Sequence, residues 1–148
     1  MFRGHSHRSI DPKGRLMLPP EFRDAVMAES SDGKLVLAKF DDCVIGYPMA
    51  RWEEIEESFG RIKNPNRRVR DFIRFFFGSA QEVLMDRQGR ILVPPSLRAY
   101  GRLDKDVILV GVGHKFEVWD KARFEGVESQ DFGTIFDDIA ATGVEVSI

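Results

Sequence analysis

The chain repeats itself, and that constrains its fold more than any other feature. Residues 11–24 read DPKGRLMLPPEFRD and residues 86–99 read DRQGRILVPPSLRA. Asp11, Gly14, Arg15, Pro19, Pro20 and Arg23 recur as Asp86, Gly89, Arg90, Pro94, Pro95 and Arg98. With residue frequencies of about 5–7%, about one identity is expected by chance over such a stretch. The likeness continues downstream, where LVLAKFDDCVIGYPMARWEE over 35–54 aligns with VILVGVGHKFEVWDKARFEG over 107–126. Tyr47 then meets Trp119, Ala50-Arg51 meets Ala122-Arg123, and Trp52 meets Phe124. The register slips by three residues between the two blocks, which predicts a longer loop in the first copy, around Glu29 to Lys34. Each copy has only about 70 residues, a size at which a lone core is marginal. The copies are therefore expected to share a core, within one chain or among several.

Each copy reads the same way physically. Asp-x-x-Gly-Arg is a tight turn: Asp11 and Asp86 bond backbone amides, Pro12 suits the second position, and Gly14 and Gly89 permit positive φ. Apolar runs on both sides make it a hairpin. The first proline of each pair stops the second strand, and the second proline suits the first turn of a helix, where its missing amide does no harm. Helices are predicted at about 20–28 and 95–102, and strands at about 35–40, 43–47, 106–112 and 115–119. ARWEEIEESF and ARFEGVESQ close the copies as helices. Between them, NPNRRVRDFIRFFFGSA predicts a helix opened by Asn-Pro, with Val69, Phe72, Ile73 and Phe76 on an apolar stripe and the arginines mostly opposite. Its FFF run reads as core or subunit interface. The expected class is mainly β with short helices (α+β). The first unit covers 1–60, a basic linker helix 61–79, the second unit 80–130, and an acidic tail with room for one short helix 131–148.

Net charge is −2, with 22 Lys and Arg against 24 Asp and Glu, which alone argues against nucleic acid. The distribution argues for it. Arg61, Lys63, Arg67, Arg68, Arg70 and Arg74 face only Asp71 in the linker, and Arg3, His5, His7, Arg8, Lys13 and Arg15 face only Asp11 near the first turn. Acid collects at Glu53, Glu54, Glu56 and Glu57 and in the tail. Such segregation gives an acidic protein one positive face.

Other classes are excluded or disfavoured. No run approaches the roughly 18–20 apolar residues of a membrane span. The start, MFRGHSHRSID, lacks the apolar stretch of a signal peptide. Cys43 is the only cysteine, forms no internal disulfide, and lies in a predicted strand as a buried thiol, which fits a reducing cytoplasm. His5 and His7 on one face of a strand suit two metal ligands, but no spacing completes a site, so no metal or cofactor is expected; beside Arg3 and Arg8 they read instead as further polar contacts to DNA. The chain has no phosphate loop, dinucleotide fingerprint or nucleophile motif; no catalytic residue, small-molecule substrate or enzymatic activity is expected.

The two Asp-x-x-x-Arg turns DPKGR and DRQGR, each followed by an apolar run and Pro-Pro, together with the Phe-Arg-Gly-His start, resemble the MraZ family of bacterial transcriptional regulators over nearly the whole chain. The pair of motifs is specific, whereas one DxxGR would be weak. The resemblance implies two tandem AbrB-like swapped-hairpin units forming one interlocked β-barrel-like domain, and subunits assembled into a ring-like homo-oligomer. It further implies double-stranded DNA as partner, bound at repeated boxes upstream of the cell-division and cell-wall gene cluster that contains the protein's own gene, and a cytoplasmic, nucleoid-associated location. AbrB-like units also serve as antitoxins, an alternative that expects one unit and a long tail rather than two units and a short one. Within the resemblance, Arg15 is the candidate for guanine, with two donors to O6 and N7 worth roughly 1–3 kcal/mol of discrimination. Lys13 and Arg8 are candidates for phosphate, and Asp11 holds the turn and orients Arg15. The second copy has Gln88 where the first has Lys13, and Glu82 upstream. Its Asp86, Gly89 and Arg90 are therefore expected to build the fold while the first turn reads DNA.

Overall fold

In the computed structural model, which describes Met1–Ile148, both copies contribute the same series of elements. The first gives β1 (His5–Ser9), β2 (Arg15–Met17), α1 (Pro20–Glu29), β3 (Lys34–Phe40), β4 (Cys43–Pro48) and α2 (Met49–Gly60). The linker is α3 (Arg67–Ser79). The second gives β5 (Gln81–Leu84), β6 (Arg90–Leu92), α4 (Pro95–Gly101), β7 (Asp106–Gly111), β8 (Phe116–Asp120) and α5 (Lys121–Glu128), and the tail carries α6 (Ile135–Ala141). Pro19 and Pro94 occupy the N-cap positions with extended backbone, and Pro20 and Pro95 begin α1 and α4. The three-residue slip lies in α1 rather than in the loop after it: α1 has 10 residues and α4 has 7. Ala25, Met27 and Ala28 favour helix and let α1 run on, whereas α4 stops at Arg102, whose left-handed backbone turns the chain. Asn66, not Asn64-Pro65, opens α3: its side chain accepts from the Val69 amide at 2.9 Å.

The predicted hairpins exist only at their tips. The Asp11 amide donates to the Arg15 carbonyl and the Gly14 amide to the Asp11 carbonyl, and Ile10 bridges Leu16. Beyond that point β1 leaves to pair with β7, and β2 with β6. The second turn does the same, sending β5 to β3. The two arms of a lone short hairpin could not bury their apolar faces; pairing across copies gives every strand a partner and lets both copies build the core beneath the ribbon. The result is a six-stranded antiparallel sheet in the order β1-β7-β8-β4-β3-β5, with a separate two-stranded ribbon, β2-β6. Leu16 faces its own counterpart Ile91 in the ribbon, and Ile45 faces its counterpart Glu117 at the centre of the sheet. An approximate twofold axis thus relates the copies. The expected barrel-like closure is not formed. The sheet ends at β1 and β5, and the ribbon covers one face instead of joining the edges.

The two faces of the sheet hold separate cores. On the ribbon side, Leu16, Leu18, Ile91 and Val93 pack with Phe22 and Leu97 of the helices onto Leu35, Leu37, Leu109 and Phe116. Phe2, bonded in both directions to Gly113, pins the N-terminus into this core. On the outer side, Val36, Ala38, Cys43 and Ile45 lie beneath Trp52 of α2 and Phe76 of α3. The matching positions in the second copy are Ile108, Val110, Lys115 and Glu117, covered by α5 alone through Phe124, Trp52's counterpart. No helix is long and apolar enough to cross a membrane.

Candidate nucleic-acid interface

Both turns are built by their aspartates. Asp11 Oδ1 accepts from the amides of Lys13 (2.9 Å) and Arg15 (2.8 Å), and Oδ2 accepts from Arg15 Nε. Asp86 does the same for Gln88 (2.9 Å) and Arg90 (2.9 Å), with Arg90 Nε at 2.8 Å. Chiefly through the arginine amide, these bonds hold both carboxyls below the usual aspartate range. Along the ribbon, side chains alternate. Leu16 and Ile91 point into the core, so Arg15, Met17, Arg90 and Leu92 share the outward face. Arg15 stands opposite Leu92 and Met17 opposite Arg90. The Cα atoms of the two arginines are therefore offset by two positions across the strands, about 8 Å by strand geometry. The structure thus joins on one surface two residues that the sequence keeps 75 positions apart.

Each turn rests on the other copy. Gly14 and Gly89 have φ of +89° and +80°, which already favours glycine. Space requires it as well. A Cβ on Gly89 would collide with the Arg23 side chain, and one on Gly14 would crowd the Val93 carbonyl and Arg98. Arg23 Nε donates to the Leu18 carbonyl at 2.8 Å, and Arg98 Nε to the Val93 carbonyl at 3.0 Å. Those strands reach the opposite turn in their own right: the Leu18 amide donates to Gly89 and the Val93 amide to Gly14. The sequence shows Arg23 and Arg98 recurring eight residues after the turn arginines, but it gives no sign that each supports the turn of the other copy.

The other candidates are spread out. Lys13 is exposed at the first tip and makes no ion pair. Arg8 lies on β1 with Nε donating to Ser6 Oγ at 2.9 Å. His5 and His7 occupy the opposite face of that strand and approach Glu128 (3.8 Å) and Asp106 (3.4 Å), and His5 also meets Phe124 edge-on. Arg3 lies before β1, at the end of that strand away from the first turn and beyond the bend at Gly4. The turns themselves are matched in charge: each has one acid and two bases, because Arg87 of the second offsets the loss of Lys13. Glu82 is engaged by Lys34 at 3.9 Å. The imbalance between copies therefore lies in the leading strands, with Arg8 on β1 and Gln81 and Glu82 on β5. Cys43 is buried, and burial pushes its thiol up, so it is a core residue.

A family model described as "MraZ protein, putative antitoxin-like" matches the chain twice, over residues 1–75 and 76–146. The chain belongs to the MraZ family. The second match runs through α6, so the MraZ repeat takes in most of the acidic tail. Relatives carry the name "Transcriptional regulator MraZ". That of Nitratidesulfovibrio vulgaris (strain DSM 19637 / Miyazaki F) is 51% identical over 148 residues, covering 100% of this chain and 99% of its own. That of Maridesulfovibrio salexigens is 48% identical over 145 residues, covering 98% and 97%. That of Moorella thermoacetica is 44% identical over 126 residues, covering 84% and 85%.

Proposed function

We propose that this protein is a sequence-specific DNA-binding transcriptional regulator that acts as a homo-oligomer. Its proposed targets are repeated boxes upstream of the cell-division and cell-wall gene cluster, including its own promoter, on the cytoplasmic nucleoid. The observation that carries this reading is Arg15. Asp11 holds its guanidinium on the exposed face of a two-stranded ribbon, next to the free Lys13. A two-stranded ribbon fits the major groove of B-DNA, and a guanidinium there can give two hydrogen bonds to guanine. Because Asp11 already orients the side chain, less freedom is lost on binding. Lys13, Arg8 and Arg3 serve phosphates, which position without specifying. His5 and His7, exposed on the other face of β1 near Glu128 and Asp106, add polar contacts at the edge of the surface. The first turn reads bases, and Asp86, Gly89 and Arg90 chiefly complete the ribbon. One tip binds weakly, but several on one assembly gain by a factor on the order of 100 to 10,000 when boxes repeat.

The test is a titration of DNA from upstream of the protein's own gene across salt concentrations. Log K should fall with log salt at about 0.9 per phosphate contact. An affinity that stays flat between roughly 50 and 200 mM salt contradicts the electrostatic account. It would favour instead the protein-partner reading that the antitoxin-like description of the family keeps open.

A further inference from the structure

The exchange of strands puts a residue of the second copy beside the first turn. In the ribbon Arg15 stands opposite Leu92 and Met17 opposite Arg90, and the Val93 amide donates to the Gly14 carbonyl at 2.8 Å. The end of the ribbon next to the first turn therefore shows Arg15 and Leu92 side by side. The other end shows Arg90 and Met17. Leu92 and Met17 are counterparts, each two residues beyond a turn arginine. Their surroundings differ. Leu92 is 51% exposed, whereas Met17 is half-buried. Leu92 belongs to neither core.

A single exposed leucine is ordinary on a protein surface. What gives Leu92 weight is its place. Its cross-strand neighbour is a guanidinium held to the turn by Asp11, and Lys13 stands free at the adjacent tip. Directly opposite residues on such a ribbon have Cβ atoms about 4.5–5.5 Å apart. Base pairs in a duplex follow one another about every 3.4 Å. With the ribbon in the major groove, Leu92 therefore meets a base pair one or two steps from the one that Arg15 meets. In that groove only thymine presents an apolar group, its C5 methyl. Adenine, guanine and cytosine present donors and acceptors there, which a leucine desolvates without satisfying.

We infer that Leu92 reads thymine, packing its methyl groups on the C5 methyl of a thymine one or two base pairs from the guanine that Arg15 reads. The reading surface is then a composite, with its cation from the first copy and its apolar contact from the second. Met17, beside Arg90 and more covered, offers less of such a surface. This inference rests on the DNA-binding function proposed above and adds a second specificity contact to it.

The test replaces thymine by uracil in DNA from upstream of the protein's own gene. Uracil keeps the O4 acceptor and lacks only the methyl. Wild type and Leu92→Ala are titrated against both duplexes, with light scattering and thermal melts alongside. Wild type should bind the uracil duplex about fourfold more weakly for each engaged subunit, the worth of one buried methyl group. Leu92→Ala should lose at least as much on the thymine duplex and should no longer distinguish the two. Uracil placed at one thymine at a time should map the loss to positions one or two pairs from a guanine. Equal binding of both duplexes by wild type overturns the inference, and that comparison stands whatever alanine does to folding. So does a uracil penalty that Leu92→Ala retains, or an altered assembly mass in that variant, which would make Leu92 a subunit contact. In each of those cases DNA binding itself stands. A wild-type protein that binds neither duplex removes both readings.

Discussion

Asp11 and Asp86 hold their arginines through the same set of bonds, and Leu16 meets Ile91 at the approximate twofold, yet the outer face is not symmetric. Val36, Ala38 and Ile45 on one half stand where the other half has Ile108, Val110 and Glu117. The contrast shows where the repeat is constrained. On the ribbon side each turn must fit an arginine and a strand from the other copy, so a change in one turn disturbs both. On the outer side each half is covered by its own helices, and the halves can differ. The first half takes an aromatic lid from α2 and α3, and the second keeps a more polar surface under α5.

The largest expected difference lies in that lid. Trp52 and Phe124 are counterparts, 3% and 6% exposed. Trp52 packs on Tyr47, Phe76 and Phe77, whereas Phe124 meets only His5 and Trp119. Trp52→Ala should cost about 3–5 kcal/mol in urea unfolding, and Phe124→Ala should fall at or below the lower end of that range. Equal losses would mean that the α3 aromatics add nothing to the first half.

Next come the two turn glycines. Alanine at positive φ costs roughly 1–2 kcal/mol at either site. Gly89→Ala should lose more than Gly14→Ala, because its Cβ collides with Arg23, whereas the nearest atoms at Gly14 lie at 3.0–3.1 Å. Combining Gly89→Ala with Arg23→Ala should recover part of the difference, and a purely additive double variant would show that the arginine simply swings aside.

The smallest effect is in pH. Both aspartates have carboxyls depressed below their ordinary value of 3.8. The stabilisation they give is therefore complete above about pH 4 and is lost as pH falls through the depressed values. Asp11→Asn and Asp86→Asn should each flatten the acid limb of the stability curve, and by similar amounts since the bonding is the same. A marked inequality would show that the turns differ in solution.

Much of this was legible in the chain, for physical reasons. Proline pairs announced strand ends and helix starts, and Asp-x-x-Gly-Arg announced the turns. The partners of β1 and β2 were not legible. Sequence shows which residues are apolar but not which strand receives them, so a local hairpin and an exchange between copies read alike. The extra three residues were placed in a loop because helix ends are weakly marked; the alanines of α1 carried the helix through them. At the site, Arg15 and Asp11 were visible as a pair. Within the turns themselves the charges match, because Arg87 supplies the charge that Gln88 lacks, and Glu82 lies outside the turn, paired with Lys34. What still distinguishes the copies is the leading strand, Arg8 on β1 against Gln81 and Glu82 on β5.

The central claim is that matched turns do unmatched work. It is tested most directly by titrating Arg15→Ala and Arg90→Ala, side by side, against repeated boxes from upstream of the protein's own gene, with light scattering as a control for folding and assembly. Losing one guanine contact is worth roughly 1–3 kcal/mol, and the loss multiplies over the subunits that engage. Arg15→Ala should therefore abolish specific binding while its assembly mass stays that of the unsubstituted protein. Arg90→Ala should keep nearly full affinity. Equal loss in two well-folded variants would contradict the account, and would mean that both arginines of the ribbon face DNA together.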